Sequence, residues 1–445
     1  MNISIIGSGY VGLVSGTCLA DRGHQVLCVD REPEKISAIN SGIPPIYEEG
    51  LEDLLKKNIN KRIKATTDLH GSVRDSDITI IAVGTPFDGN NIDLRQIKEV
   101  SSQVGMALKE NDDYHVVIVK STVVPGTTDD VVTPILEEAS GKKSGFDFGV
   151  GMNPEFLTEG QAIRDFMNPD RIVLGANDER AIQYLERLYE SFENVPKLKT
   201  NNKTAEMIKY ASNAMLATQI SFSNELSRLC TALGDVDIVD VLHGVHLSLY
   251  LSPTAKDGSR VQAPISSFLE AGCGFGGSCL PKDVNALIAH GRKMRVPMPL
   301  LSAVLEINQD QPRLVIKMLK KHLEPLKGVR ISILGLSFKP DTDDMRESPA
   351  ITIINDLLEH GAIVKAYDPV ANNEARKHFP PHDLELSETL EEALKDVDAV
   401  VLVTRWEQFR EVPDLLARVN PKAVFVDGRR MLDKHLFTNY EGIGL

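Results

Sequence analysis

The chain opens on Asn2-Ile3-Ser4-Ile5-Ile6-Gly7-Ser8-Gly9-Tyr10-Val11-Gly12, an apolar strand pattern that runs directly into a turn with three glycines. Leu13 to Ala20 continue as an apolar helix, and Gln25 to Val29 follow as a second strand. Strand, glycine turn, helix and strand together predict a βαβ unit of the dinucleotide-binding type. A glycine motif alone is weak evidence, because glycine turns are common, and the strand and helix around it make it informative.

The glycine turn and the second strand also predict the cofactor. Gly9 lets a pyrophosphate approach the first turn of the helix, where unpaired N–H groups and the helix dipole favour an anion. Asp30 ends the second strand, eighteen residues after Gly12. A carboxylate there accepts hydrogen bonds from the adenosine ribose hydroxyls, which selects NAD over NADP. The alternative is that Asp30 is only a capping or turn residue.

Three more loops follow apolar strands of the same predicted sheet. These loops are 84–86, 120–127 and 153–160, and the strands predicted before them are 77–83, 116–119 and 148–152. Open parallel sheets bind ligands beyond the carboxyl ends of their strands, so we expect the loops to line one cleft with the glycine turn. In the last loop, Glu155 and Glu159 could act as a general base and as a ligand contact. A solvated acidic pair at a helix start is the alternative.

A second glycine-rich segment is Gly274-Phe275-Gly276-Gly277-Ser278-Cys279-Leu280-Pro281-Lys282-Asp283. Its bare backbone lets a bulky polar ligand lie against main-chain N–H groups. If a helix begins near Pro281, Lys282 and Asp283 lie within one turn of Cys279. The segment then offers a nucleophile, a cation that favours a thiolate, and a carboxylate that handles protons. A lone cysteine is more often a small buried hydrophobe, but these neighbours favour the catalytic interpretation.

Residues 204–233 contain no proline or glycine and predict one long helix, with Gly234 as its C-cap. Its apolar positions cover more than one face, so we expect it to pack between domains or across a dimer. Lys209 and Asn213 are four residues apart and share a face. They are either an exposed pair with local hydrogen bonds or part of a site, and this pattern leaves both open.

The last third of the chain repeats the pattern of the first. Residues 329–336 mirror the opening strand and turn, and 363–368 mirror 25–30, including the final aspartate. We therefore predict a second, smaller nucleotide-binding-like sheet. Its turn lacks the full glycine fingerprint, so a nucleotide should bind there in another manner, with Lys339 near phosphate and Phe338 as an apolar wall.

Composition and charge exclude several classes of partner. The 445 residues, 42% hydrophobic and 25% charged, predict an ordinary globular protein of two or three domains. The net charge of −14 argues against nucleic acid or an anionic membrane as the main partner. No signal-peptide pattern is present, and no apolar span reaches about 18 residues. Five cysteines, few and odd in number, suit a reducing compartment, so we expect a cytoplasmic protein.

In this order the motifs resemble the nucleotide-sugar 6-dehydrogenase family over nearly the whole chain. The matching segments are 7–12, 83–86, 121–127, 153–160, Lys209 with Asn213, 274–283, 338–339 and 341–348. The resemblance implies an α/β fold of two Rossmann-like doubly wound domains joined by a long central helix. It implies an N-terminal NAD-binding domain at 1–200, a central helical and dimerisation domain with the cysteine loop at 201–312, and a C-terminal nucleotide-sugar (UDP)-binding domain at 313–445.

The resemblance also implies a four-electron oxidation of a sugar CH2OH to a carboxylate, with two NAD used in turn. The intermediate aldehyde is held on Cys279 as a thiohemiacetal, which is oxidised to a thioester that water hydrolyses. Lys209 and Asn213 are expected to stabilise oxyanions at C6. Glu155 and Asp283 are the candidates for handling protons, through a water that Thr122 helps to order.

Site residues are implied by the same match. Catalytic roles are expected for Cys279, Lys209, Asn213, Asp283, Glu155 and Thr122. Contacts to NAD are expected for Gly7, Gly9, Tyr10, Val11, Gly12, Asp30, Lys35, Thr85, Pro86, Ser121, Thr122, Glu159, Lys282 and Arg346. Contacts to the nucleotide sugar are expected for Glu155, Phe156, Leu157, Lys209, Asn213, Phe268, Leu269, Glu270, Ala271, Gly272, Gly276, Phe338, Lys339 and Arg429. No metal is implied.

Several functions compete at this point. UDP-glucose is the favoured substrate, and GDP-mannose or a UDP-N-acetylhexosamine are alternatives, since the cysteine loop is common to these enzymes. A two-electron hydroxyacid dehydrogenase is a more distant alternative, which would need the lysine and asparagine but no cysteine. A non-catalytic NAD-sensing scaffold would tolerate loss of Cys279, Lys209 or Asp283, yet all three are present. The apolar central helix predicts a homodimer or a higher homo-oligomer.

Overall fold

The computed structural model describes all 445 residues. The chain forms two compact units, Met1–Ser212 and Asn213–Leu445. Each unit is organised around one sheet of predominantly parallel strands, and the long helix of the chain runs from the first unit into the second.

The first unit contains an eight-stranded sheet in the order β3-β2-β1-β4-β5-β6-β7-β8. All neighbouring strands are parallel except β6 and β7, which pair antiparallel. The strands are β1 Asn2–Ile6, β2 Gln25–Val29, β3 Ile63–Thr66, β4 Ile78–Ile81, β5 His115–Val119, β6 Phe148–Met152, β7 Ile172–Ala176 and β8 Lys197–Thr200. The helices are α1 Tyr10–Asp21, α2 Pro33–Asn40, α3 Leu51–Asn58, α4 Leu69–Arg74, α5 Arg95–Lys109, α6 Thr133–Ser140, α7 Ala162–Met167 and α8 Glu179–Leu188.

Both faces of this sheet are covered, which explains why its strands are continuous apolar runs rather than alternating ones. Successive residues of a strand enter different cores: Ile80 and Ile118 lie in one apolar cluster, Ile81 and Val119 in the other. The carboxyl ends of β1, β4, β5 and β6 are neighbours in the sheet, so the loops that follow them share one edge.

The second unit contains a six-stranded, fully parallel sheet in the order β11-β10-β9-β12-β13-β14. Its strands are β9 Arg330–Leu334, β10 Ile363–Tyr367, β11 Leu384–Leu386, β12 Ala399–Leu402, β13 Val424–Asp427 and β14 Tyr440–Gly442. The remaining helices are α9 Asn202–Leu233, α10 Ile238–His246, α11 Leu280–Lys293, α12 Pro299–Asp310, α13 Arg313–Lys320, α14 Pro349–Glu359, α15 Asn372–His378, α16 Leu390–Leu394 and α17 Val412–Val419.

The long helix α9 has 32 residues and is followed by Gly234, which adopts φ +67° as the predicted C-cap requires. The stripe of α9 that contains Glu206, Lys209 and Asn213 is buried although it is polar, while Met215 and Phe222 are exposed. The interpretation of Lys209 and Asn213 as an exposed pair is therefore wrong, because both side chains are turned inward.

The predicted fold class, two Rossmann-like doubly wound domains joined by a long central helix, is confirmed. The predicted strands 25–29 and 148–152 match β2 and β6 residue for residue. The prediction from 77 to 83 is longer than β4, because the segment leaves the sheet to form the loop at its carboxyl end. No helix of the chain combines the length and hydropathy needed to cross a membrane.

Candidate active site

In the turn after β1, close packing within the protein requires glycine at positions 7 and 12 but not at position 9. A Cβ on Gly12 would lie 1.8 Å from the Gly7 carbonyl oxygen, and a Cβ on Gly7, which has φ +102°, would lie 2.7 Å from the Ala82 carbonyl oxygen. At Gly9 a Cβ would meet nothing within 4 Å. The space above Gly9, at the first turn of α1, therefore stays open for a ligand. This is the fit that a dinucleotide pyrophosphate requires.

Asp30 lies beside this turn with its carboxylate held in place. Oδ2 accepts a hydrogen bond from the Ser8 N–H at 2.9 Å, and Oδ1 accepts one from the Glu32 N–H at 3.2 Å. Both oxygens keep acceptor capacity, since each uses one hydrogen bond and the side chain is partly exposed. Lys35 forms an ion pair with Glu32, Nζ to Oε1 2.8 Å, at the same edge.

A buried carboxylate, Glu48, connects the turn to the third strand-end loop. It accepts hydrogen bonds from the Tyr10 hydroxyl, from the Gly160 N–H at 2.7 Å and from the Ala162 N–H at 2.7 Å. Burial, followed by the hydrogen bond and charge of Glu48, raises the pKa of Tyr10. Glu48 thus fixes the end of the loop that contains Glu155 and Glu159.

The loops after β4 and β5 are joined by hydrogen bonds of their small hydroxylated residues. Thr85 Oγ1 donates to the Thr122 carbonyl at 2.7 Å, and Ser121 Oγ donates to the Val83 carbonyl at 2.7 Å. Thr85 and Ser121 are buried in these contacts. The predicted cofactor loops therefore lie side by side at the sheet edge.

Glu155 and Lys209 form a buried ion pair, with Nζ 2.8 Å from Oε1 and side chains 7% and 5% exposed. The Leu157 N–H donates to the other carboxylate oxygen at 2.7 Å. Burial on its own would raise the pKa of Glu155, but the Lys209 charge and these hydrogen bonds outweigh it and lower the pKa. Glu155 is therefore an anion at neutral pH. Phe156 is held next to it, with its ring centroid 4.0 Å from the Arg171 guanidinium carbon and 5.6 Å from Lys209 Nζ.

Further along α9, the second unit has its own polar pair. Asn213 Nδ2 donates to Asp283 Oδ2 at 2.6 Å, and Lys282 binds the other oxygen of the same carboxylate. Asp283 lies in the first turn of α11 and is 1% exposed. Side-chain donors thus bind both oxygens of Asp283 and hold its carboxylate in one position.

Cys279 is the N-cap of α11, one residue before the helix begins. It is the one cysteine of the chain that is not buried, and Ser278 Oγ lies 3.5 Å from its sulfur. A thiolate is favoured at a helix N-terminus. Cys273, in contrast, has no exposed surface, and burial raises the pKa of its thiol. The nearby cysteine is therefore a packed side chain.

Close packing shapes the glycine loop before Cys279. A Cβ on Gly276 would lie 2.2 Å from the Glu347 carbonyl oxygen, and one on Gly277 would lie 2.7 Å from the Phe338 ring. Asn308 of α12 binds both backbone groups of Phe275, N–H to Oδ1 at 2.7 Å and Nδ2 to the carbonyl at 2.9 Å. The predicted apolar wall, Phe338, therefore packs directly on the loop.

The segment 268–272 and Arg429, both predicted to bind the nucleotide sugar, are connected by Arg405. The Arg405 guanidinium pairs with Glu270 and also donates to the Arg429 carbonyl. Arg429 in turn donates to the Gly274 carbonyl at 2.7 Å. Burial, then the charge of Arg429, lowers the pKa of Arg405 to about 10. Two arginines thus lie together beside the glycine loop, as an anionic ligand would require.

Comparison with known proteins identifies the family. Sequence models of the UDP-glucose/GDP-mannose dehydrogenase family match the chain in three parts: the NAD-binding domain at 1–193, the central domain at 203–310 and the UDP-binding domain at 332–434. A UDP-glucose 6-dehydrogenase of Haloferax volcanii is 41% identical over 100% of both chains. The chain belongs to the UDP-glucose/GDP-mannose dehydrogenase family.

Other relatives agree on the family and differ in substrate. A solved UDP-glucose dehydrogenase from the archaeon Pyrobaculum islandicum superposes with a TM-score of 0.90 at 37% identity, covering 99% of this chain and 97% of its own. A GDP-mannose 6-dehydrogenase of Pseudomonas putida is 38% identical over 92% of each chain. The protein is therefore an NAD-dependent nucleotide-sugar 6-dehydrogenase, and the predictions of family, enzyme class and NAD are confirmed.

The UDP-binding domain of this dehydrogenase shares the strand order of its NAD-binding domain but not the same pocket. Asp368 stands where Asp30 stands in the first sheet, yet it is 1% exposed. Its carboxylate accepts six hydrogen bonds, from the backbone and hydroxyl of Ser337, the N–H groups of Leu336, Val370 and Ala371, and Trp406 Nε1. No acceptor remains for a ribose, so this turn does not offer a dinucleotide the contacts that the first turn offers.

Two predicted cofactor residues lie in partly exposed ion pairs: Lys35 with Glu32, and Arg346 with Asp344. Conversely, Glu48 and Arg405 are absent from the residues that the sequence predicts for the site. Glu48 lies in a loop without any strand or helix pattern. Arg405 follows β12 at a strand end, a position that could have marked it.

Proposed function

We propose that this dehydrogenase oxidises UDP-glucose to UDP-glucuronate, a four-electron oxidation at C6 that uses two NAD. Cys279 is the observation that carries the proposal: a partly exposed thiol at the start of α11, within a loop shaped by close-packed glycines. Oxidation of an alcohol only to the aldehyde needs no nucleophile, whereas oxidation of an aldehyde to an acid proceeds readily through a thiol adduct.

The first oxidation removes a hydride from C6 and a proton from the C6 hydroxyl. NAD supplies the hydride acceptor in both oxidations, held by the glycine turn and Asp30. The hydroxyl proton passes to a water ordered by Thr122 and the Glu155 carboxylate, with Asp283 as the other proton acceptor. Because Lys209 keeps Glu155 ionised, Glu155 orients the water rather than titrating near neutral pH.

In the second half of the reaction the Cys279 thiolate adds to the aldehyde carbon, a C–S bond forms, and the resulting oxyanion is protonated to the thiohemiacetal. Lys209 and Asn213 are the donors that we assign to this oxyanion. Loss of the second hydride from the carbon and of the proton from its hydroxyl gives a thioester. Water then adds to it, the C–S bond breaks, and the thiolate leaves. In total, one CH2OH, one water and two NAD+ give one carboxylate, two NADH and three protons.

The choice of UDP-glucose is supported by the relatives of the chain, several of which are UDP-glucose 6-dehydrogenases that are 37 to 41% identical to it over most of their length. GDP-mannose is the second candidate, because one of its dehydrogenases is 38% identical. A panel of UDP-glucose, GDP-mannose and UDP-N-acetylhexosamines, with NADH and uronate both quantified, tests the proposal. We expect two NADH per UDP-glucose consumed and no free aldehyde. A ratio of one would exclude the thioester route.

The residue roles and domain bounds expected above remain part of the proposal. The proposed domain bounds are 1–200, 201–312 and 313–445. Substrate contacts are proposed for Glu155, Phe156, Leu157, Lys209, Asn213, 268–272, Gly276, Phe338, Lys339 and Arg429. Cytoplasmic location also remains proposed, supported by the small and odd number of cysteines, five in 445 residues.

A homodimer is supported by one face of α9. Met215, Phe222 and Leu229 are spaced by seven residues and are 48 to 56% exposed, and Leu233 at the helix end is 65% exposed. This spacing is that of helices that pair along their length, so a second copy of the chain is the occupant we propose. Changing Phe222 and Leu229 to Asp should convert the dimer to monomer in analytical ultracentrifugation. An unchanged mass would place the interface elsewhere.

A further inference from the structure

Lys120, the residue that follows β5, is a buried cation that the reaction above does not use. Its side chain is 4% exposed. Nζ donates to Asn153 Oδ1 at 2.8 Å, lies 3.5 Å from the Tyr189 hydroxyl, and is 5.9 Å from the centroid of the Phe166 ring. None of these partners is a carboxylate. A buried ammonium without an ion pair is costly, and an apolar side chain of the same length would fill the space.

The hydrogen bond of Lys120 acts on the turn that contains Glu155. Asn153 Oδ1 also accepts a hydrogen bond from the Tyr189 hydroxyl at 2.5 Å, while Asn153 Nδ2 donates to the Val173 carbonyl at 2.8 Å. All hydrogen-bonding atoms of this amide except one N–H are thereby engaged by neighbouring elements. Because Asn153 is two residues before Glu155, Lys120 fixes the start of the turn on which that carboxylate is placed.

Lys120 also acts on Glu155 by its charge. The charged groups that face Glu155 are Lys209 from α9 and Lys120 from the end of β5, and both lower its pKa. Lys120 itself faces Tyr189 from the end of α8 and the Phe166 ring from α7. Burial lowers the pKa of Lys120 to about 8, so the ammonium is still protonated at neutral pH. With one carboxylate and two ammonium groups, the set Glu155, Lys209 and Lys120 has a net positive charge.

We propose that Lys120 is a positioning residue for the reaction. It anchors the Asn153–Glu155 turn through the Asn153 side chain, and it adds a second buried positive charge to that of Lys209. This inference rests on the proposed role of Glu155 in ordering the catalytic water. It assigns to Lys120 an effect on turnover but no contact with NAD or with the nucleotide sugar.

The test is a double-mutant cycle on the full-length enzyme, with NADH formation as the readout. Lys120→Met removes both charge and hydrogen bond, while Lys120→Gln keeps a donor for Asn153 and removes only the charge. Each is made alone and together with Glu155→Gln. Lys143→Met, a change at a lysine with a 72% exposed side chain, is the matched control. Circular dichroism melting and NAD binding establish that each variant is folded.

Lys120→Met should lower kcat by roughly tenfold, within the range of coupling between neighbouring groups, and leave the KM for NAD within about twofold. The acidic limb of the kcat profile should move to higher pH by roughly 1 unit, since an opposite charge near Glu155 is lost. In the Glu155→Gln background the same change should have almost no further effect. Lys120→Gln should reproduce the pH shift.

An additive cycle, with the same loss of kcat in both backgrounds and an unmoved pH profile, would overturn the proposal. If Lys120→Met does not fold, Asn153→Asp is measured instead, because an aspartate at position 153 neutralises the charge of Lys120 without changing the lysine. An unmoved pH profile of kcat in that variant would also refute the proposal. Wild-type turnover tests the proposed function separately. If UDP-glucose is not oxidised, the cycle is measured with whichever nucleotide sugar of the panel is.

Discussion

Asp30 should determine the preference for NAD over NADP, and Coulomb's law gives the order of magnitude of the effect. Its carboxylate is fixed by the Ser8 and Glu32 N–H groups and points to the edge of the glycine turn. A 2′-phosphate with two negative charges, about 4 Å from this carboxylate, is repelled by about 2 kcal/mol even at the dielectric constant of water, and by more in a partly enclosed site. This free energy corresponds to at least about 30-fold in kcat/KM.

The perturbation is Asp30→Asn, which keeps the shape and an acceptor for the Ser8 N–H but removes the charge. The ratio of kcat/KM for NAD to that for NADP should fall by roughly 30-fold, mainly through better use of NADP. Glu32→Gln removes one negative charge two residues away and serves as the control, with a much smaller expected change because that side chain is exposed and paired.

Steady-state NADH and NADPH formation at two ionic strengths provides the measurement. The discrimination by the wild-type enzyme should shrink at high salt, since the repulsion is electrostatic and partly exposed to solvent. Equal use of both cofactors by the wild-type enzyme, or an unchanged ratio in Asp30→Asn, would refute the assignment of Asp30 to the ribose.

Three more outcomes are expected. Cys279→Ser should lower turnover by more than about 100-fold while sugar binding persists, and mass spectrometry should detect a protein ester that is one sugar nucleotide heavier. Cys273→Ser, a change at a packed thiol, should stay active. The reverse result would mean that the assignment of Cys279 as the nucleophile is wrong. Burial raises the pKa of Glu206 from 4.5 to about 7, so the folded protein binds a proton there that the unfolded chain releases, and the free energy of unfolding should fall as pH rises from about 4.5 to 7. Glu206→Gln should make the melting temperature depend less on pH in that window. An equally steep dependence in the variant would contradict the raised pKa. Arg405→Met should raise the KM for the nucleotide sugar several-fold without changing the KM for NAD, and it should have little further effect in a Glu270→Gln variant. Equal increases in both KM values would instead indicate a general loss of structure.

Local patterns are sufficient for the fold and for residues whose chemistry depends on sequence neighbours. The glycine turn, Asp30 and the Cys279 loop are of this kind, because strand, turn and helix follow one another within a short segment. Residues that act through distant partners cannot be found in this way. Glu48 binds an N–H group 112 positions away, and Arg405 meets Glu270 across 135 positions. Lys120 falls within a predicted strand-end loop, but its burial depends on α7 and α8, which no local pattern predicts.

The two sheets show how one strand order is given two binding functions by a small number of side chains. Both place an aspartate at the end of the second strand, and in both its carboxylate accepts N–H groups of the turn after the first strand. In the second sheet Trp406 and the N–H groups of the following segment take up the remaining acceptor capacity of Asp368. Asp30 accepts one N–H from its own following segment, that of Glu32, and no indole N–H, so both of its oxygens keep acceptor capacity for a ribose. The distinction between a dinucleotide site and a different nucleotide site is therefore decided by what surrounds the aspartate, and the aspartate itself is common to both.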